Sequence, residues 1–425
     1  MLELQTIRDY ATLVAERLAV KNVYATNLID QILLTDKERR ETKSQLDQTL
    51  AEANNLSKMI GLLFREGKND QVEDLKVRSS QLKINAKEFT ERLALIEEQL
   101  EEALLQLPNI PHKSVKPGKS ADDNEILFTA GNFPNLPPEA SPHWELCQQY
   151  QIIDFDLGTK ITGAGFPVYR GAGARLQRAL INFFLNEAVA AGYIEYQPPL
   201  LVNEASAYGT GQLPDKDKQM YFIGEDRYYL IPTAEVPVTN FYRDAILNVK
   251  ELPVKNVAYT ACFRREAGSY GKDVRGLNRL HQFDKVEIVQ IEHPSRSYET
   301  LEQMLEYVCG LLKKLELPFR VVKLCGGDLS FTSALTYDLE VYSAAQQRWL
   351  EVSSISNFES FQANRMKLRF RDEDGKTRLA HTLNGSALAL PRIVAALLEN
   401  NQRIEGIAVP ETLIPYMGSA WITKP

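Results

Sequence analysis

The chain has 425 residues, 44% hydrophobic and 25% charged, with a formal net charge of −7. That is enough polypeptide for two or three domains with at least one large core, and the acidic balance excludes a general basic nucleic-acid binder, so any RNA contact must use local patches. Cys147, Cys262, Cys309 and Cys325 form no CxxC pair and the five histidines have no finger spacing, which excludes a structural zinc site and leaves each cysteine reading as a small buried hydrophobe.

The start, MLELQTIRDY, carries acidic residues and lacks the long apolar run of a secretory signal, and no stretch is long enough to span a membrane; this points to the cytoplasm. Residues 71 to 107 carry a heptad seam. Val72, Leu75, Leu82, Ala86, Phe89 and Leu93 fall at spacings of three and four or their sum, and only Ser79 interrupts the apolar line. The preceding stretch shares one register from Leu28 to Leu63, although Thr35, Arg39, Thr42 and Thr49 sit in the seam. Gly67-Lys68-Asn69-Asp70 suits a tight reversal, so residues 27–107 are expected to form an antiparallel helical hairpin roughly 50 Å long within an arm over 1–107. Basic residues such as Arg65, Lys68, Lys76 and Arg78 slightly outnumber acids near the tip, while Glu97, Glu98, Glu101 and Glu102 make the root acidic. Such charges most simply solubilise a coiled coil; read functionally, the tip meets a phosphate backbone.

Leu107-Pro108-Asn109-Ile110-Pro111 ends the helix, and residues 108–142, rich in Pro, Gly, Asn and Asp, read as a linker. From 143 to 425 helical segments alternate with short strands, at 228–231, 258–263, 283–291, 319–323 and 337–342, with helices at 298–315 and 391–402. That pattern predicts an α+β domain on a largely antiparallel sheet flanked by helices. Two nucleotide-site decoys fail. Gly118-Lys119-Ser120 lacks the first P-loop glycine, its place being taken by Lys113, and Gly171-Ala172-Gly173 has Leu176 where a dinucleotide fingerprint needs its third glycine.

The most informative segment is 260–289, TACFRREAGSYGKDVRGLNRLHQFDKVEIV. Two strands joined by a basic, glycine-rich loop fit it best. An arginine fork such as that of Arg264 donates two hydrogen bonds at once, so its place on a strand beside that loop suggests a polyphosphate held over a sheet. A solvated charged hairpin is the bland alternative, but the order of residues is too particular for it. FRREAGS followed by RGLNRLHQFDKVE closely resembles the second signature motif of class II aminoacyl-tRNA synthetases, in the form found in seryl-tRNA synthetases. Residues 165–202 resemble the first class II motif and 381–402 the third, while LIPTAEVP (230–237) and EVSSISN (351–357) resemble segments that line the serine and metal sites. The likeness to bacterial-type seryl-tRNA synthetases covers essentially the whole chain, arm included.

The resemblance implies an ATP- and Mg²⁺-dependent enzyme that activates L-serine and loads serine tRNA, in many members selenocysteine tRNA too, as a homodimer built on the first motif. Carried over residue by residue, it implies that Arg264 grips the α-phosphate and the substrate carboxylate side, with Arg265 next to it. Glu266 would face the adenine amino group, Phe283 would stack on adenine with Arg392 covering the other face, and Leu280 would meet the nucleotide through its backbone. Glu351 and Ser354 would hold Mg²⁺, with Val352 and Ser353 also at the nucleotide. Thr233, Ala234, Glu235, Glu287, Asn384 and Ser386 would form the serine pocket, Glu287 facing the serine hydroxyl. Ala387 and Pro391 stand where many members carry glycine, and Arg265 where serine is common, which puts the local backbone beside the nucleotide in question. Synthetase relatives that load an amino acid onto a carrier protein lack the arm. An inactive paralogue serving as a coiled-coil interaction protein would have been expected to lose the arginines or Glu351, which are present.

Overall fold

The computed structural model describes residues 1–68, 72–215, 217–266 and 275–425, in two compact units. One unit holds Leu2–Ala19 and Val23–Pro108. It consists of α1 (Leu4–Ala19), α2 (Thr26–Arg65) and α3 (Val72–Leu104). Cross-helix pairs between Arg78 and Glu52, and between Arg92 and Glu38 at 2.7 Å, show that α2 and α3 run antiparallel. Seam residues Val72, Leu82, Ala86, Ile96 and Leu100 are buried, and so are the polar Ser79 and Thr42. Leu107 lies beyond the end of α3. Asn69 and Asp70 of the expected reversal lie outside the described residues.

The irregular seam of α2 has a physical cause. Asp36 is fully buried and takes Arg8 from α1 at 2.7 Å, Arg39 at 3.0 Å and Arg40 at 3.1 Å. Burial alone would raise its carboxyl, but the hydrogen bonds from Arg8 and Arg39 outweigh that and hold it below its ordinary range. Arg39 interrupts the apolar line because it serves this ion cluster.

The second unit holds Met1, Val20–Asn22 and Asn109–Pro425. Its eight-stranded sheet contains β1 (Glu125–Ala130), β2 (Ile194–Tyr196), β3 (Val254–Phe263), β4 (Gln282–Glu292), β5 (Phe319–Lys323), β6 (Leu335–Ser343), β7 (Arg348–Asn357) and β8 (His381–Ala389). The order is β1-β5-β6-β7-β8-β4-β3-β2, antiparallel throughout except for the β2–β3 pair. The fold is α+β, as the alternation of strands and helices predicts. The strand expected near 228–231 is found at Tyr228–Leu230, in a separate three-stranded sheet.

The expected linker over 108–142 needs correcting. Its residues 125–130 are the edge strand β1, paired with β5 from Glu125 opposite Lys323 to Ala130 opposite Phe319. Asn109, at its start, donates its side-chain amide to Thr332 O at 2.9 Å and Phe358 O at 2.8 Å. The flanking prolines and glycines mask a strand whose own side chains are mostly exposed, so it shows no buried alternation.

The helices that position the site are α4 (His143–Gln149), α5 (Gly171–Ala190), α6 (Glu235–Asn240), α7 (Ser297–Lys314) and α8 (Leu390–Asn400). Leu176, Phe183, Val308, Leu312, Ile393 and Leu397 pack with sheet residues such as Val286, Leu339 and Ile355 into one large core. Pro391 lies in the first turn of α8, where a missing N–H costs nothing. Among the described residues, no helix is long and apolar enough to cross a membrane.

Candidate active site

A cavity of about 510 Å³ opens over the centre of the sheet. Strands β3 and β4 pair in unbroken register, Phe283 opposite Cys262 and Glu287 opposite Ala258. Period-two alternation therefore puts Phe283, Lys285 and Glu287 on one face, and all three line the cavity. Arg264 follows the end of β3, its N–H bonded to His281 O at 2.9 Å and its guanidinium 5.2 Å from the Phe283 ring centre.

The outer part of the cavity carries charge that is already paired. Glu266 pairs with Arg279. Arg392, from the first turn of α8, donates Nη1 to Glu351 O at 2.7 Å and Nε to Asn278 O at 3.0 Å, with the Glu351 carboxylate 3.7 Å away. Ser353 is buried and spends its hydroxyl on Ser386 O at 2.6 Å, which ties β7 to β8.

The inner part is buried. Lys285 and Glu287 form an ion pair, and Ser386 donates to Glu287 Oε2 at 3.3 Å. Glu235 accepts Gln362 Nε2 at 2.6 Å, and its own N–H reaches Thr233 Oγ1 at 3.2 Å. Burial and then the nearby Glu287 charge push the Glu235 carboxyl up to about 7, against the opposing hydrogen bond from Gln362. Asn384 and Ser356 complete this end.

All but two of the site residues read from the sequence line this cavity. Arg265 is exposed outside it, its N–H bonded to Gln219 O, because its neighbours Arg264 and Glu266 take the inward positions. Ala234 is fully buried with Val238, Ala258 and Val289 in a small apolar cluster and presents nothing to the cavity. Gly268, Gly271, Lys272 and Asp273 of the basic loop lie outside the described residues.

The seryl-tRNA synthetase N-terminal domain family matches residues 1–111, and the class II tRNA synthetase core domain family (G, H, P, S and T) matches residues 222–401. A serine–tRNA ligase of Salinibacter ruber is 52% identical over 424 residues, 99% of each chain. The chain belongs to the seryl-tRNA synthetase family. A serine–tRNA ligase of Pelotomaculum thermopropionicum is 46% identical, covering 98% of this chain and 99% of its own. The crystal structure of the seryl-tRNA synthetase of Pyrococcus horikoshii complexed with ATP superposes with a TM-score of 0.92 at 31% identity, covering all of both chains.

Several wall residues were not read from the sequence. Lys285 stands two places before Glu287 on the same strand face, and that spacing could have flagged it. Gln362, which stands behind the wall rather than in it, reaches Glu235 across 127 residues of sequence and gives no local sign.

The oxygen set around Glu351 and Ser354 fits a hard divalent cation. Across the β6–β7 ladder, Asp338 faces Ser354. Its Oδ1 is buried without a partner among the described residues. Burial and then the Glu351 charge raise the Asp338 carboxyl well above its ordinary range. The repulsion between the buried Asp338 and the half-exposed Glu351 is what a bound cation would relieve.

Proposed function

We propose that this enzyme activates L-serine with ATP to seryl-adenylate and transfers the seryl group to serine tRNA. The observation that carries the reading is the division of one cavity. Arg264, Phe283, Glu351 and Arg392 surround its outer part, and Glu235, Lys285, Glu287, Asn384 and Ser386 its buried end. The first suits a nucleotide with its phosphates, the second a small zwitterion bearing a hydroxyl.

In activation a serine carboxylate oxygen attacks the α-phosphorus. The bond to the β-phosphate oxygen breaks and pyrophosphate leaves with that electron pair. No protein nucleophile is needed. The protein aligns two anions and offsets their repulsion. Arg264, from the outer part, meets both the α-phosphate and the serine carboxylate. Phe283 supplies a face for adenine. Arg392 exchanges its Glu351 contacts for the nucleotide, which leaves the Glu351 carboxylate and Ser354 to hold Mg²⁺. When bound, that ion supplies charge neutralisation along the phosphates.

Serine selection follows from hydrogen bonds that only the correct substrate completes. Glu287 accepts a hydrogen bond from the serine hydroxyl, and the substrate ammonium returns Glu235 to its carboxylate form. A site built for a hydroxyl rejects an analogue lacking it by roughly 10⁴ to 10⁵, which excludes alanine; threonine is excluded through its extra methyl.

The hairpin of α2 and α3 serves as the tRNA arm, and residues 143–425 with β1 as the catalytic part. The exposed apolar residues Ile194, Tyr196, Leu200, Leu201 and Phe222 near the edge strand β2 support a homodimer at that edge. Serine-dependent exchange of radiolabelled pyrophosphate into ATP tests the reading. Exchange with serine and none with alanine or threonine is expected; no exchange with serine overturns it.

A further inference from the structure

Outside the cavity lies a buried polar chain that the reaction above does not use. Glu399 and His143 are both fully buried, with His143 Nδ1 2.7 Å from Glu399 Oε1. Glu399 also accepts the His143 backbone N–H at 2.9 Å, Gln346 Nε2 at 2.8 Å and the Ser343 hydroxyl. Burial would raise its carboxyl, yet the hydrogen bonds from His143 and Ser343 hold it below the ordinary range. On the far side of the ring, the Leu277 N–H donates to His143 Nε2 at 2.8 Å. Because Nε2 accepts, the proton shared with Glu399 sits on Nδ1.

The segment reached in this way walls the nucleotide end of the cavity, where Leu277, Asn278, Arg279 and Leu280 line it in succession. Asn278 is held twice more: its Nδ2 donates to Gln346 Oε1 at 2.9 Å and its carbonyl accepts Arg392 Nε at 3.0 Å. Gly276 turns with φ +66°, and a Cβ there would come within 2.2 Å of His143 Nε2, so the chain passes against the ring as only glycine permits. Trp144, next to His143 on α4, carries the Arg275 guanidinium 4.6 Å from its ring centre.

Arg392 and Glu399 are seven residues apart on α8 and so lie on one helix face, two turns from each other. The helix holds the Leu277–Asn278 segment at two points, directly through Arg392 and indirectly through Glu399 and His143. We propose that the His143–Glu399 pair is a positioning device for the nucleotide wall, fixing Leu277 through Leu280 against α8 so that Leu280 and Arg392 meet ATP in register. His143 touches no substrate; it acts through the Leu277 N–H. The inference rests on reading the outer part of the cavity as the ATP site.

Comparing two substitutions of His143 tests it. In His143→Gln the side-chain oxygen reaches the place of Nε2 and can accept the Leu277 N–H; in His143→Asn it reaches only the place of Nδ1. Pyrophosphate exchange on the full-length protein should give His143→Gln an ATP KM within about threefold of wild type, and His143→Asn an increase of about tenfold, the scale of one buried hydrogen bond. The serine KM should stay within about twofold in both, since the Lys285–Glu287 end is untouched. Equal ATP KM values for the two variants, or KM values for ATP and serine that rise together, overturn the proposal. Should His143→Asn fail to fold by circular dichroism, the half-buried Gln346→Ala replaces it: a rise in ATP KM alone supports the proposal, and no rise overturns it. Absence of exchange in the wild type would instead bring down the ATP reading, and this inference with it.

Discussion

The two ends of the cavity are built on opposite terms. At the outer end the charged groups are partly exposed and paired with one another, Arg392 with Glu351 and Glu266 with Arg279. At the inner end Glu235, Lys285 and Glu287 are buried, and each is paired or hydrogen-bonded to a neighbour that is itself held. Pairs in contact with water separate at little cost, so the outer end can trade partners when a highly charged ligand arrives. Buried pairs are costly to break, so the inner end keeps its shape and selects. One half of the site is built for exchange, the other for fit.

The sharpest way to break this contrast is Arg264→Ala, which removes the group proposed to meet both substrates. Serine-dependent exchange should fall by about 10³ or more, the loss typical of a missing charge stabiliser, and should fall at saturating serine and ATP alike. Next in size is the arm. Excising residues 42 to 89, beyond the Asp36 cluster, should lower tRNA charging by about a hundredfold through lost phosphate contacts, while pyrophosphate exchange stays within about twofold. Unchanged charging would deny the hairpin its role.

Glu287→Ala should raise the serine KM by about thirtyfold, because it removes the proposed partner of the serine hydroxyl and leaves Lys285 buried without its counter-ion. The ATP KM should move far less, and a parallel rise in both would erase the distinction between the two ends. The smallest effect is one of pH. Glu235 is raised in the folded protein from an ordinary 4.5 to about 7, so between those values the native state binds more protons than the unfolded chain. Its contribution to stability is therefore present below 4.5 and is lost as pH rises through about 7. Glu235→Gln keeps the acceptor for Gln362 but cannot ionise. Between pH 5 and 7 the melting temperature of the wild type should fall relative to that of Glu235→Gln, and parallel curves would contradict the buried carboxyl.

What was legible in the sequence follows the same division. Arg264, Phe283, Glu351 and Arg392 lie in contiguous segments whose local pattern carries the chemistry, and the structure brings them to one cavity. The inner end depends on partners from remote elements. Gln362 supports Glu235 from a short helix of its own, and nothing near either residue signals the pairing. Arg265 lies outside that cavity, because a motif gives neighbours but not the direction of each side chain. In the arm, periodicity found the apolar seam of α3, whereas Asp36 stayed hidden because its partner Arg8 comes from another helix. The strand β1 was missed for the reverse reason: its apolar residues face outward and produce no buried alternation.

That strand also sets where the polypeptide can be cut. A fragment beginning at residue 143 would lack β1 and leave the ladder edge of β5, Phe319 to Lys323, without its partner. Bare edges of this kind template pairing with other chains, so such a fragment should self-associate, whereas one beginning at Asn109 keeps the sheet edge covered. The proline-rich stretch that looks like a tether between two modules is in fact the selvedge of one of them, and the true seam lies upstream of it, at the end of the hairpin.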